Sequence, residues 1–371
     1  MSLSVGYHHD RANERAHPSR VILLNMDRRT RRRPTAIDLY SGAGGLTLGL
    51  RWAGFRIIGA IENEPLAVKT YRLHHPATVM WEKDIRSVTV AAVKRRLRLR
   101  VGQLDLLAGC PPCQGFSSIR TRNGGSVVRD KSEKDLLFEF IRFVRGLRPR
   151  AVMMENVPRL AADKRIHQFS ASLRKLGYHT RYIVLNAANF GVPQRRRRLI
   201  FMATRHKAVP LPGGNKAHLV TLRKAIGRLP RPGNTGDPMH DMRESRTQRV
   251  ARLIRKIPRN GGGRLSLRKN QQLACHRRTN GFKDVYGRMS WDTVAPTITC
   301  GFVNPSKGRF LHPVQNRAIT LREGALIQTF PRYYMFALDR GKFPAAGLIG
   351  NALPPKFIKK VAAPLARQLR T

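Results

Sequence analysis

Residues 36–45 read Ala36-Ile37-Asp38-Leu39-Tyr40-Ser41-Gly42-Ala43-Gly44-Gly45. An apolar run ends in a glycine-rich turn, the way a buried strand hands over to a helix in an α/β fold. The pattern recurs downstream. Short β-branched or Leu-rich runs at 57–61, 104–108, 151–154, 182–185 and 199–202 predict further strands. Helical-length stretches separate them. In residues 136–147, Leu137, Phe140, Ile141 and Val144 recur at helical spacing. This alternation predicts an α/β domain with a largely parallel sheet over residues 34–204.

Beyond Thr204 the texture changes. Pro, Gly, Asn and His become frequent and Gly261-Gly262-Gly263 interrupts the chain, so residues 205–318 read as a smaller, irregular domain. The helical signal returns from Arg317. Residues 319–371 read as a segment that completes the first domain, with Gly350-Asn351-Ala352-Leu353-Pro354-Pro355 opening a final helix. Residues 1–33, ending in Arg28-Arg29-Thr30-Arg31-Arg32-Arg33, read as a basic disordered arm able to touch phosphate.

Composition narrows the partners. Lys and Arg number 71 against 22 Asp and Glu, a formal charge of +49 on 371 residues. A polyanion is the expected partner of such an excess, and nucleic acid is the commonest one. Four cysteines are too few for a disulfide scaffold at this length. No apolar run approaches a membrane span, and the expectation is a cytoplasmic enzyme with no membrane partner.

Three features carry chemistry. The first is the turn after Leu39, where glycines let backbone approach a ligand and the following helix offers free N–H groups. A dinucleotide fingerprint needs a glycine where this chain has Thr47. Glu62 at the end of the second strand can accept from ribose hydroxyls, and Asp84, after a third strand region, from an adenine amino group. Together they point to a nucleoside cofactor. The second feature is Cys110-Pro111-Pro112-Cys113 at the end of the 104–108 run. A rigid turn presenting a nucleophilic thiol, a redox pair, a zinc half-site and a buried structural cysteine are all open on these residues alone. The zinc reading lacks a well-spaced second ligand pair, and no metal site is expected. The third is Glu155, directly after 151–154, where a carboxyl group in a partly dry site can act as an acid. Gln194-Arg195-Arg196-Arg197-Arg198 precedes the last strand, and strand periodicity can aim alternate arginines into a site.

Taken in order, six segments resemble the motifs of the cytosine-C5 DNA methyltransferase family of bacterial restriction-modification type. They are DLYSGAGG (38–45), GCPPCQGFS (109–117), MENV (154–157), QRRRR (194–198), the stretch from Arg322-Glu323 to Gln328-Thr329-Phe330-Pro331, and GNALPP (350–355). The resemblance implies an α/β class I S-adenosylmethionine-dependent methyltransferase fold, with a Rossmann-like mixed sheet and a target-recognition domain at 205–318. It implies S-adenosylmethionine as cofactor, contacted by Tyr40, Gly42 and Gly44. Glu62 would hold the ribose, Asn63 would flank the adenine, Asp84 and Ile85 would bind it, and Asn351 and Ala352 would close the pocket. Cys113 would be the nucleophile, with Pro112 fixing its backbone. Glu155 would protonate ring N3 with support from Asn156. Arg198 would bind the base near O2, and Arg196 would assist there or on phosphate. The implied substrate is double-stranded DNA with its target base flipped out. The implied setting is a monomer, associated with the nucleoid through DNA, with a cognate restriction endonuclease in the same system. The glycines of 114–131 suggest a loop that closes on DNA. Residues 276–288, with Asn280 and Asp284, are candidates for base-edge contacts.

Two residues depart from the family pattern. Arg197 stands where an acidic residue is common between the two arginines, and Gly324 stands where Ala is common in a helix, at an expected cost of about 0.5–1 kcal/mol. The rival within the resemblance is an RNA cytosine-C5 methyltransferase, one type of which pairs Pro-Cys with Thr-Cys. Here Thr299-Cys300 falls in the expected recognition region. An inactive DNA-binding relative is the rival of another class.

Overall fold

The computed structural model describes residues 32–112, 136–206, 213–215, 219–277 and 281–370. From Arg33 onward they form one compact unit. Residues 1–31 of the arm, Cys113, the 114–131 loop and Asn280 lie outside the described residues.

Seven strands form one sheet: β1 (Thr35–Leu39), β2 (Arg56–Glu62), β3 (Val79–Glu82), β4 (Leu106–Gly109), β5 (Ala151–Asn156), β6 (His179–Asn186) and β7 (Arg197–Thr204), in the order β3-β2-β1-β4-β5-β7-β6. All neighbours pair in parallel except β7, which runs antiparallel to both β5 and β6. The sheet is therefore mixed, with one reversed strand. The central strands are apolar throughout because both faces are covered, and every residue of β1, β4 and β5 is buried. β3 was not among the apolar runs: it is a four-residue edge strand, only partly buried, so its sequence carries little hydrophobic signal.

Two helical layers enclose the sheet. On one face α1 (Gly45–Ala53) packs on the C-terminal helix, and on the other lie α3 (Val90–Leu97), α4 (Leu136–Leu147) and α5 (Lys164–Lys175), whose apolar residues share a core. α2 (Pro65–His74) joins β2 to β3.

Residues 219–318 hold two short helices of note, α6 (Leu222–Ile226) and α7 (Gln248–Lys256), and only isolated bridges among the described residues. Part of this region has its own small core of Leu253, Ile254, Ile257, Leu267, Val285, Tyr286 and Leu311. The rest, including Met289, Ile298 and Phe302, packs with α8 (Leu321–Ile327) and α9 (Lys342–Asn351). α10 (Pro355–Leu369) ends the chain, lying so close to α1 that a Cβ on Gly49 would sit 2.5 Å from that of Ile358. Gly324 in α8 has a comparable reason. A Cβ there would come within 2.4 Å of the Phe302 ring, so the position that looks costly for a helix is set by a buried aromatic from another segment. No described helix is long and apolar enough to cross a membrane.

Candidate active site

The parallel strands β1, β2, β3, β4 and β5 end along one edge of the sheet, and the ligand crevice of such folds lies there. At the end of β1, Tyr40, Gly42 and Gly44 all take positive φ (57°, 53° and 88°). Gly44 caps α1, and a Cβ on it would strike His75 and the Tyr334 hydroxyl, both at 2.7 Å. A Cβ on Gly42 would instead meet nothing within 4 Å, so open space lies over that part of the turn. Glu62 braces the turn from the end of β2. Its Oε2 accepts from Gly42 N at 2.8 Å, and its Oε1 accepts from Asn63 N and Glu64 N, both at 2.9 Å.

Beneath the turn, Asp38 is fully buried. Its Oδ2 accepts from the Thr47 hydroxyl at 2.7 Å, while among the described residues Oδ1 has no partner, and neither has the buried Ser41 hydroxyl. Burial pushes Asp38 up to about 7, against the pull of the Thr47 hydroxyl. Unsatisfied buried oxygens beside an open glycine turn are what a polar, positively charged ligand would complete.

The adenine candidates follow β3. Asp84 is held by Arg86, whose guanidinium donates to both carboxylate oxygens at 2.9 and 2.6 Å and keeps the carboxyl group below its usual range. Ile85 is buried. Tyr40 donates its hydroxyl to Leu136 O at 2.5 Å, tying the turn to α4. The C-terminal segment reaches the same place: a Cβ on Gly45 would lie 3.3 Å from that of Ala352 and 2.5 Å from Leu353 O. Asn351 is exposed, and its Oδ1 accepts from the Cys300 thiol at 2.9 Å.

On the adjacent strands, Glu155 in β5 is 7% exposed and makes an ion pair with Arg198 at the start of β7, Nε to Oε1 at 2.8 Å. Asn156 donates to Pro111 O at 3.1 Å and accepts from Val157 N, which fixes the Pro-Pro turn against the end of β5. The turn also meets the first glycine loop, with Cys110 N donating to Leu39 O at 3.3 Å. Burial pushes the Cys110 thiol well up, and the carboxyl groups of Glu155 and Asp38 act in the same direction. Cys110 is thus a poor thiolate.

The arginine run alternates. Gln194 and Arg196 are buried and Arg198 half-buried on one face, while Arg195 and Arg197 are exposed. Arg196, expected on the base or on phosphate, has its guanidinium on protein carbonyls. It donates to Ile298 O and Gly350 O, each at 3.0 Å. Burial, with the Arg198 charge beside it, pulls Arg196 down to about 9. Sequence reasoning placed its companions in motifs but gave them no role. Gln194 accepts from Ile298 N at 3.1 Å and donates to Gln328 Oε1 at 2.6 Å, and Gln328 donates to Ile349 O at 2.6 Å and Ala352 O at 3.0 Å. A Cβ on Gly350 would lie 2.4 Å from the Thr299 carbonyl carbon. This buried hub joins residues 298–300 to the segment carrying Asn351 and Ala352. The available signal was that both glutamines stand inside motif segments, 194–198 and 322–331. Arg322 and Glu323 are likewise structural: Arg322 pairs with Asp237 at 2.5 Å, and Glu323 pairs with Arg317 at 2.7 Å and closes a capping box with Thr320. Asp284 pairs with Arg309 at 3.0 Å. Among the described residues no cluster of His, Cys, Asp or Glu could hold a metal ion.

The sequence matches the family described as C-5 cytosine-specific DNA methylase over residues 35–367. It is 35% identical over 348 residues to the type II methylase M.HgiDII of Herpetosiphon aurantiacus, an alignment covering 90% of this chain and 95% of that one. It is 31% identical over 341 residues to the type II methyltransferase M1.BsuMI of Bacillus subtilis, covering 86% and 77%. Among solved structures, a protein described as a DNA modification methyltransferase encoded within an E. coli prophage superposes with a TM-score of 0.67 at 23% identity, covering 91% of this chain and 100% of that one. The Entamoeba histolytica methyltransferase EhMeth superposes with a TM-score of 0.61 at 15% identity, covering 91% and 99%.

Proposed function

Because this chain belongs to the C-5 cytosine-specific DNA methylase family, we propose that it methylates C5 of a cytosine flipped out of one specific double-stranded DNA sequence, as the modification enzyme of a restriction-modification system. S-adenosylmethionine, when bound, supplies an electrophilic methyl group. The residues present fit it. The open space over Gly42, the unpartnered Asp38 Oδ1 and Ser41 Oγ, and the Glu62 carboxylate at the end of β2 would hold its amino-acid and ribose parts. Asn63, Asp84 and Ile85 would hold the adenine, and Asn351 and Ala352 would close over it.

The chemistry demands a nucleophile, because cytosine C5 is too electron-poor to be alkylated directly. The Cys113 thiolate adds to C6, and Glu155 delivers a proton to N3 as the ring electrons move there. C5 becomes enamine-like and is alkylated. The C5 proton then leaves to a base, its electrons re-form the C5–C6 double bond, Cys113 departs as thiolate, and the N3 proton returns to Glu155. Arg198 orients Glu155 and would bind the base near its O2. Arg196 acts as a positioning residue that keeps residues 298–300, within the proposed recognition domain 205–318, registered on the cofactor-closing segment.

The observation that carries this reading is the Glu155–Arg198 pair at 2.8 Å beside the Asn156-anchored Pro-Pro turn. Expression in a methylation-free host followed by bisulfite mapping of the host DNA tests it. The expected result is 5-methylcytosine confined to one short sequence motif. Soluble protein with unmethylated DNA would reject the reading.

A further inference from the structure

One cavity, of about 630 Å³, is lined by no residue given a catalytic, cofactor or recognition role above. Val79, Met80 and Trp81 of the edge strand β3 form one wall, and Ala92, Arg95, Arg96 and Arg98 of α3 form the other. The Trp81 ring is seated where a glycine leaves room: a Cβ on Gly59 would lie 3.0 Å from Trp81 Cζ3 and 3.1 Å from Leu97 Cδ1. Arg98 ends α3 in the left-handed region at φ 52°, where glycine is the usual residue. The strain of placing a long cation there is of the kind found at binding sites. Among the described residues, no ion pair involves Arg95, Arg96 or Arg98. The nearby carboxylates are already occupied, Glu82 by Arg72 at 3.1 Å and Asp84 by Arg86 at 2.6 Å. An aromatic ring flanked by three uncompensated guanidinium groups matches a phosphodiester chain with a base to stack. A formal charge of +49 leaves far more cation than one catalytic contact requires.

We propose that this cavity is a second nucleic-acid site, in which Arg95, Arg96 and Arg98 take backbone phosphates and one base stacks on Trp81. The site is independent of the methylation reading, since none of its residues belongs to the proposed catalytic, cofactor or recognition set.

The test uses the full chain and a fluorescent oligothymidylate, a single strand with no cytosine, titrated by anisotropy across a salt series. Three neutralised contacts reduce the slope of log affinity against log salt by about 2, at roughly 0.7 per phosphate for single strands. The variant R95Q/R96Q/R98Q is expected to show that reduction, with at least about a tenfold loss of affinity at low salt. W81L is expected to lose about tenfold with its slope unchanged. Duplex methylation at saturating DNA stays at the wild-type rate in the triple variant. The control K359Q/K360Q/R367Q, on exposed positions of α10 outside the proposed recognition domain, removes equal charge elsewhere. An equal loss in both triple variants would overturn the proposal, leaving net charge alone as the cause. An unchanged affinity in R95Q/R96Q/R98Q would overturn it outright. Arginine-dependent binding of polyglutamate that matches the oligonucleotide and ignores Trp81 would overturn it in favour of an acidic protein partner.

Discussion

Gly324→Ala sets two effects of known size against each other. Alanine in place of glycine within a helix ordinarily stabilises by about 0.5–1 kcal/mol. Here the new methyl group would lie 2.4 Å from Phe302 Cζ and 2.5 Å from Cε2. Carbon atoms in contact sit about 3.5–4.0 Å apart, so the ring must retreat by more than about 1 Å. It has little room to move, because Phe302 is fully buried in the core cluster that also holds Ile298, Leu321 and Ala325. Overpacking of this kind costs about 1–3 kcal/mol, which exceeds the helical gain. The net expectation is a loss of about 1–2 kcal/mol, read as a lower urea midpoint with an unchanged slope. Phe302→Leu removes the obstacle, so Gly324→Ala in that background is expected to stabilise by roughly the helical term. The sign of one substitution thus reverses with the identity of a residue in another segment. A more stable Gly324→Ala in the wild-type background, or the same sign in both backgrounds, would refute the reasoning.

Further expectations follow from the site. Arg196→Met leaves the Ile298 and Gly350 carbonyls unpaired, at about 1–3 kcal/mol each, and urea unfolding should show a loss of roughly 2–5 kcal/mol. Wild-type stability would contradict the hub. Asp38 holds its proton to about 7 in the folded chain against 3.8 unfolded, so the folded state binds the extra proton between these values. Stability from this group therefore falls as pH rises from about 4 to about 7 and stays low above, by at most about 4 kcal/mol. Asp38→Asn should accordingly show a Tm advantage that is small at low pH and full above neutrality, with weaker binding of S-adenosylhomocysteine by calorimetry. A pH-independent difference would dismiss the buried carboxyl group as its source. Cys110→Ala should retain methyl transfer within a few-fold, because that thiol is held protonated by burial and by its acidic neighbours. Loss of activity there would reassign the chemistry.

Much of this arrangement was legible along the chain. The central strands are buried on both faces, so they had to be apolar without interruption, and their runs stood out. Glu155 and the glycine turn sit at strand ends, where the local pattern changes abruptly. β3 was obscure because an edge strand of four residues needs no such pattern. The carbonyl partners of Arg196 were obscure for a different reason. Its partners, Ile298 and Gly350, are 102 and 154 residues away and offer backbone carbonyls, which every residue carries. Local sequence cannot distinguish an arginine meant for phosphate from one meant for carbonyls. Gly324 shows the same limit, since its reason lies in the Phe302 ring.

The central claim is that Cys113 attacks the target cytosine. Duplex DNA carrying 5-fluorocytosine at the mapped target traps such an adduct, because fluorine at C5 cannot leave as a proton does. Incubation with S-adenosylmethionine, proteolysis and mass spectrometry then locate the attached nucleotide. A covalent complex on the peptide at Cys113, absent from Cys113→Ala and present in Cys110→Ala, is the predicted result. An adduct on Cys110, or no adduct from protein that methylates unmodified DNA, would contradict the account.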